Sequence, residues 1–147
     1  MAENATITER VLEALKGAGL LTGEQVNSVT SAASKSGESV GKIISDRGLA
    51  SAADVTSALE SEMGIPQVDL SSYAPEEDAL AMVPADLARE FRILPLFVIE
   101  GMLTVAIGDV FDVFLLDDVA DEIELEVEPV LADSASVLGA VVQYYGE

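Results

Sequence analysis

Four carboxylates, Asp117, Asp118, Asp121 and Glu122, crowd into six consecutive residues of this chain. Groups of that kind suit calcium or magnesium, hard cations that prefer oxygen ligands. No Asp-x-Asp-x-Asp-Gly loop accompanies them, so the spacing equally describes a solvated helix face, and no metal site is expected. Glycosidase-type chemistry needs two carboxylates across a cleft, and nothing in the pattern locates one. The chain has neither histidine nor cysteine. That removes the commonest general base, the partner a serine needs to become a nucleophile, and any thiolate metal site. The sequence also holds no Gly-x-x-x-x-Gly-Lys-Ser/Thr phosphate loop and no Gly-x-Gly-x-x-Gly after a strand. No catalytic residue, and no enzyme, is expected.

The elements that must carry any other site change character along the chain. Residues 1–64 read as helical. Thr6 to Glu9 has the form of a capping box, with Val11, Leu12 and Leu15 behind it on one face. Gly17 and Gly19 end that helix. Thr22 to Gln25 repeats the capping pattern and opens a helix to about Ser34. Ser36-Gly37 breaks the chain, Val40 to Asp46 forms a short helix, and Ser51 to Asp54 opens another with Val55, Ala58, Leu59 and Met63 inside. Gly19-Leu20 and Gly48-Leu49 recur 29 residues apart, with Thr22 matching Ser51 and Val26 matching Val55. This is the period of a helix-turn-helix repeat.

At Gly64-Ile65-Pro66 a second part begins, residues 65–147. Val68 to Leu70 reads as a short strand, and Pro84 stands in the first turn of a helix to about Phe91. Ile93 to Ile99 and Met102 to Ile107 read as strands joined by a Glu100-Gly101 hairpin turn. Asp109 or Asp112 caps a helix to roughly Glu122. Leu125 to Glu128 alternates as a strand with one wet face, and Ser134 opens a last amphipathic helix through Val137, Leu138, Val141, Val142 and Tyr145. The expected class is α+β: a bundle of two helix-turn-helix repeats, then a small α/β subdomain with a mixed sheet of three to four strands.

Charge narrows the partners. The formal net charge is -20, with all seven basic residues before residue 93 and twelve acids but no base from Ile93 onward. Such a field repels nucleic acid and anionic lipid headgroups. It reads as solubility or adaptation to salt, or as a face for a basic partner. Met1 to Thr8 lacks the basic start and apolar run of a signal peptide. The apolar stretches fall far below the roughly 20 residues that cross a bilayer, so no membrane insertion and a cytoplasmic location are expected.

Further marks accumulate in the second part: Gly64-Ile65-Pro66 with Val68-Asp69-Leu70, then "VPADLAREFRILPLF", "LTVAIGD", "LDDV", "VEPVLA" and the closing "YYG". Together with the helical repeats they resemble the N-terminal domain of type II secretion and type IV pilus assembly ATPases. Val110-Phe111 departs from that pattern, which has proline and leucine there. The resemblance implies a docking or regulatory module for protein transport. Its implied partners are the cytoplasmic domain of a GspL-type inner-membrane platform protein, or a pilus counterpart, and an ATPase motor in the same chain or a separate one. It also implies recruitment to the cytoplasmic face of the inner membrane.

The helical repeats of MshE-type relatives bind cyclic di-GMP, an alternative function that the resemblance also raises. Arginine there grips phosphate or guanine, glycines expose backbone and leucines pack on the bases. Carried over, the cofactor-binding candidates are Arg10 and Leu20 in the first repeat and Val40, Gly41, Ile44, Gly48 and Leu49 in the second. Leu12 stands where the first repeat would have glycine and Ala33 where it would have glutamine. Ser39 replaces the second arginine and Glu62 the second glutamine. These four replacements disfavour the dinucleotide, so no cofactor is expected.

Overall fold

The computed structural model describes residues 6–146; most of the acidic start read against a signal peptide lies outside the described residues. Four helices come first: α1 (Ile7–Gly17), α2 (Gly23–Ser36), α3 (Val40–Arg47) and α4 (Ala52–Met63). Their starts follow from side-chain caps. Thr6 and Thr22 form capping boxes with Glu9 and Gln25, and the Ser39 and Ser51 hydroxyls accept from the Lys42 and Asp54 N–H groups. Each cap satisfies an amide that the helix itself leaves unpaired. The repeat shows in the backbone too. The Leu20 N–H donates to the Leu15 carbonyl at 2.9 Å, and the Leu49 N–H to the Ile44 carbonyl at 3.1 Å.

The second part contains α5 (Glu77–Met82), α6 (Ala85–Phe91), β1 (Ile93–Ile99), β2 (Met102–Ile107), α7 (Leu116–Ile123), β3 (Glu126–Leu131) and α8 (Ser134–Tyr145). The sheet order is β1-β2-β3, antiparallel between the first two strands and parallel between the last two. The fold is therefore α+β with a mixed three-stranded sheet. A bulge between Pro95 and Phe97 breaks the β1 register, and the Leu96 carbonyl beside it accepts the Glu76 N–H at 2.8 Å. That bond draws the start of α5 onto the β1 edge, the kind of redirection an unpaired bulge residue permits.

Two sequence expectations need correcting. Val68 to Leu70 is no strand: Gln67 makes a single parallel bridge to Leu131 and the chain then turns through a 3-10 helix, Leu70–Ser72. Asp69, whose carboxylate accepts from the Ser71 N–H and hydroxyl, drives that turn. Nor does one helix run from Asp109 to Glu122. Asp109 caps a 3-10 segment, Val110–Leu115, and α7 begins only at Leu116. Asp112 caps nothing; it is buried and binds Arg92.

One continuous apolar core joins both parts, from Val11, Leu15, Ile44 and Leu59 to Ile93, Leu103, Ile107, Leu116 and Val137. Each such leucine or isoleucine contributes about 1.5–3 kcal/mol by leaving water. The 3-10 segment is the seat of the helical part. Gly41 approaches it so closely that an added Cβ would lie 2.6 Å from the Phe111 carbonyl oxygen and 2.9 Å from the Phe114 ring.

Candidate functional site

Arg10 is the hub of the candidate site. Its place is set by the start of α1, where Asp117 of α7 accepts the Ile7 N–H on Oδ1 at 2.9 Å and the Thr8 N–H on Oδ2 at 3.0 Å. A carboxylate against a helix N-terminus satisfies unpaired amides and opposes the positive end of the helix dipole. With that end pinned to α7, the next turn of α1 brings Arg10 over β3, where its Nη2 donates to Glu128 Oε2 at 3.1 Å. Both side chains keep about a third of their surface in water (39% and 31%), so the pair positions more than it stabilises.

Two grooves meet at this arginine. One of about 390 Å³ runs between α1, α7 and β3, with Ile7, Met102, Val127 and Glu128 in its walls. The other, about 740 Å³, lies between α1, α2 and α4, with Leu12, Val26, Thr30, Glu62 and Met63 in its walls. Of the residues carried over from the cyclic di-GMP pattern, Arg10, Leu12 and Glu62 thus share the second groove. Glu9 and Glu13 join Glu62 there, setting three carboxylates against one guanidinium. An anionic ligand meets net repulsion in such a lining.

The second-repeat candidates sit differently. Gly41 and Ile44 are buried, Val40 and Leu49 half-buried, and Gly48 exposed at the end of α3. Gly41 is occupied by its approach to Phe111 rather than offered to solvent. Leu20 and Ala33 are half-buried and pack against the core. Lys42, also in α3, is exposed and bonded to Asp46 at 2.7 Å, which raises its pKa.

The acidic run on α7 divides by role. Asp117 holds α1, while Asp118, Asp121 and Glu122 are exposed. Among the described residues no three carboxylates converge as metal ligands.

A second ion pair supports the seat. Arg92, at the left-handed end of α6, donates Nε to Asp112 Oδ2 at 3.1 Å and Nη2 to Oδ1 at 2.6 Å. Burial pushes the Asp112 carboxyl above its ordinary value, and the bonds from Arg92 pull it only partly back. The same bonds raise the Arg92 pKa. The role of Asp117 at the start of α1, the Arg10–Glu128 contact and the Arg92–Asp112 pairing escaped the sequence reading. The residues joined lie 110, 118 and 20 positions apart in the chain, and no local spacing announces a contact of that range.

The MshEN domain model matches residues 63–147, from the end of α4 through α8. The chain belongs to the MshEN domain family. Its N-terminal helices extend the likeness. Over 141 residues it is 30% identical to the type IV pilus assembly ATPase PilB of Thermus thermophilus, covering 95% of this chain and 16% of the relative. Over 138 residues it is 25% identical to PilB of Myxococcus xanthus, covering 94% of this chain and 24% of the relative. The chain thus spans a quarter or less of these relatives. In fold, this MshEN-family chain matches MshE solved with cyclic di-GMP (TM-score 0.54, 21% identity, 97% of this chain and 100% of that one). It also matches the N-terminal domain of XpsE (TM-score 0.55, 21% identity, 99% and 100%). The domain is of the kind found at the N-terminus of secretion and pilus ATPases. No helix among its described residues is long and apolar enough to cross a membrane.

Proposed function

We propose that this MshEN domain is a non-catalytic docking and regulatory module of a type II secretion or type IV pilus assembly ATPase. It binds the cytoplasmic region of an inner-membrane platform or adaptor protein, GspL-like or its pilus counterpart, and couples that contact to a motor. The observation that supports this most is the extent of the likeness: nearly the whole chain aligns with a small fraction of PilB. The two parts share one core, so a force on either is transmitted to the other. Titrating the chain with a platform protein's cytoplasmic region, followed by calorimetry, tests the reading. Saturable binding supports it, and no heat at high micromolar concentration overturns it.

The MshE structure with cyclic di-GMP favours a second reading, a sensor of that dinucleotide. The α1/α2/α4 groove has the room, yet Glu9, Glu13 and Glu62 outnumber Arg10 within it. The helix cap made by Ser39 stands where the pattern has its second arginine. We place docking first on that charge balance. A thermal shift on adding cyclic di-GMP would reverse the order.

A further inference from the structure

The larger groove joins an apolar lining to acids from two helices. In its volume of about 740 Å³, Leu12 and Ala14 of α1 are buried, while Val26 of α2 and Met63 of α4 are half-buried. Glu13 of α1 and Glu62 of α4 line it in exposed positions. Glu9 lines it too, one carboxylate oxygen accepting the Thr6 N–H at 2.9 Å. Arg10, the guanidinium in this lining, donates Nη2 to Glu128 of β3, which lies outside the groove. The lining is therefore net negative, and carboxylates that repel an anion attract a cation.

Backbone chemistry and charge decide the occupant. The walls are three helices, whose interior amides and carbonyls are paired within each helix. Among the described residues no strand contributes to the lining, so an extended segment would leave its own backbone groups unpaired against α1. A helix arrives with those groups satisfied and lays an apolar stripe along such a groove. The walls can adapt to it. Of the 14 residues of α2 only Val29 is buried, and Met63 is unbranched and pliable. A second copy, at a net charge of -20, brings more acid than base to this lining.

We propose that the α1/α2/α4 groove docks a basic amphipathic helix of a partner protein, with an apolar stripe flanked by lysine or arginine. The proposal rests on the docking reading above and names its surface and the chemistry of its partner. The apolar stripe packs on Val26 and Met63, and the flanking cations pair with Glu13 and Glu62. Those carboxylates are exposed, so they steer and select the helix more than they hold it. The same charges turn away an acidic helix, so the lining sets specificity as well as affinity.

The test uses the full chain, labelled for methyl and amide NMR, and a capped helical peptide of about four turns carrying a leucine stripe flanked by lysines. The same peptide with glutamate for lysine, and spermine as a free cation, are the controls. The lysine peptide is expected to shift the Val26 and Met63 methyl signals saturably, and to bind more weakly as salt is added. Glu13→Gln with Glu62→Gln should weaken it about tenfold, the loss of two rim contacts. Glu13→Lys with Glu62→Lys should reverse the preference toward the glutamate peptide; glutamates with a merely structural role would lose both peptides alike. An unmoved Met63 methyl, equal binding of the glutamate peptide by the wild type, or no weakening in the glutamine variant overturns the proposal. So does spermine that shifts the same methyls as tightly, since the lining then reads charge without a helix. A platform protein that binds the wild type and the E13K/E62K variant equally sinks the groove and leaves the docking reading standing. If the peptide occupies the groove while no platform region binds, the groove stands and the docking reading falls.

Discussion

In the first helical repeat the Leu20 N–H closes onto the Leu15 carbonyl and Thr22 caps the next helix; in the second, Leu49 closes onto Ile44 and Ser51 caps. The ends are the same chemistry 29 residues apart. What precedes them differs. Arg10 stands inside α1, a turn past a start pinned by Asp117, whereas its counterpart Ser39 is itself the cap of α3. The next matched pair, Leu12 and Gly41, are both buried, one filling the core and the other making room for Phe111. Duplicated ends with unlike middles show that the turn is the repeated unit. Each helix face has been adapted to the surface beneath it.

The largest effect should follow from giving the second repeat the residue of the first. Gly41→Leu drives a side chain into the Phe111 carbonyl, 2.6 Å from where its Cβ must go. Backbone cannot yield as a side-chain tip can. We expect a loss of more than about 3 kcal/mol, at the upper end of overpacking effects, read as a fall in the urea midpoint. A loss under about 1 kcal/mol would show that α3 is not seated as described.

The next largest effect comes from the seat that both repeats share. Arg92→Met leaves the buried Asp112 carboxylate unpaired. The cost should be about 2 kcal/mol at neutral pH, below that of a fully buried pair because Arg92 is half in water. The sign with pH follows from the raised Asp112 value. A folded carboxyl that holds its proton above its unfolded value of 3.8 stabilises fully below that value. Its contribution then falls as pH rises through the folded value. Without the guanidinium the folded value rises further. The gap between variant and wild type should therefore be widest near neutrality and shrink toward about pH 4, as chemical denaturation at both pH values would show. A gap that widens in acid contradicts the assignment.

Much of this architecture was legible in the residues, for a physical reason. Caps, glycine ends and hydrophobic periodicity act within a few positions, so α1 to α4, the β1–β2 hairpin and α8 follow from local pattern. The stretch after Asp109 did not. Val110 to Leu115 is held as a 3-10 segment by burial of Val113 and Phe114 and by the Arg92–Asp112 pair, and sequence periodicity cannot see such tertiary terms. The candidate site was legible in the same proportion. Arg10 was singled out through the resemblance alone, and its partner Glu128 is one of many glutamates until β3 is laid beside α1. For Gly41, the resemblance implied a ligand's backbone contact, whereas its close approach to Phe111 could be found only once α3 was laid on the 3-10 segment.

Smaller effects separate the two repeats at their starts. Asp117→Ala removes both carboxylate bonds to the Ile7 and Thr8 amides and should cost about 1–2 kcal/mol. Because α1 carries Arg10, the loss should reach beyond stability: the Glu128 contact loosens, visible as changed Arg10 side-chain NMR signals. Ser39→Ala removes only a single exposed hydroxyl cap and should cost about 0.5–1 kcal/mol, confined to the first turn of α3. If hydrogen exchange showed α1 fraying as readily after Ser39→Ala as after Asp117→Ala, the repeats would be coupled through their caps. The repeats instead meet through the core and the 3-10 seat, so the two variants should fray separate helices, and the double variant should lose the sum of the two costs.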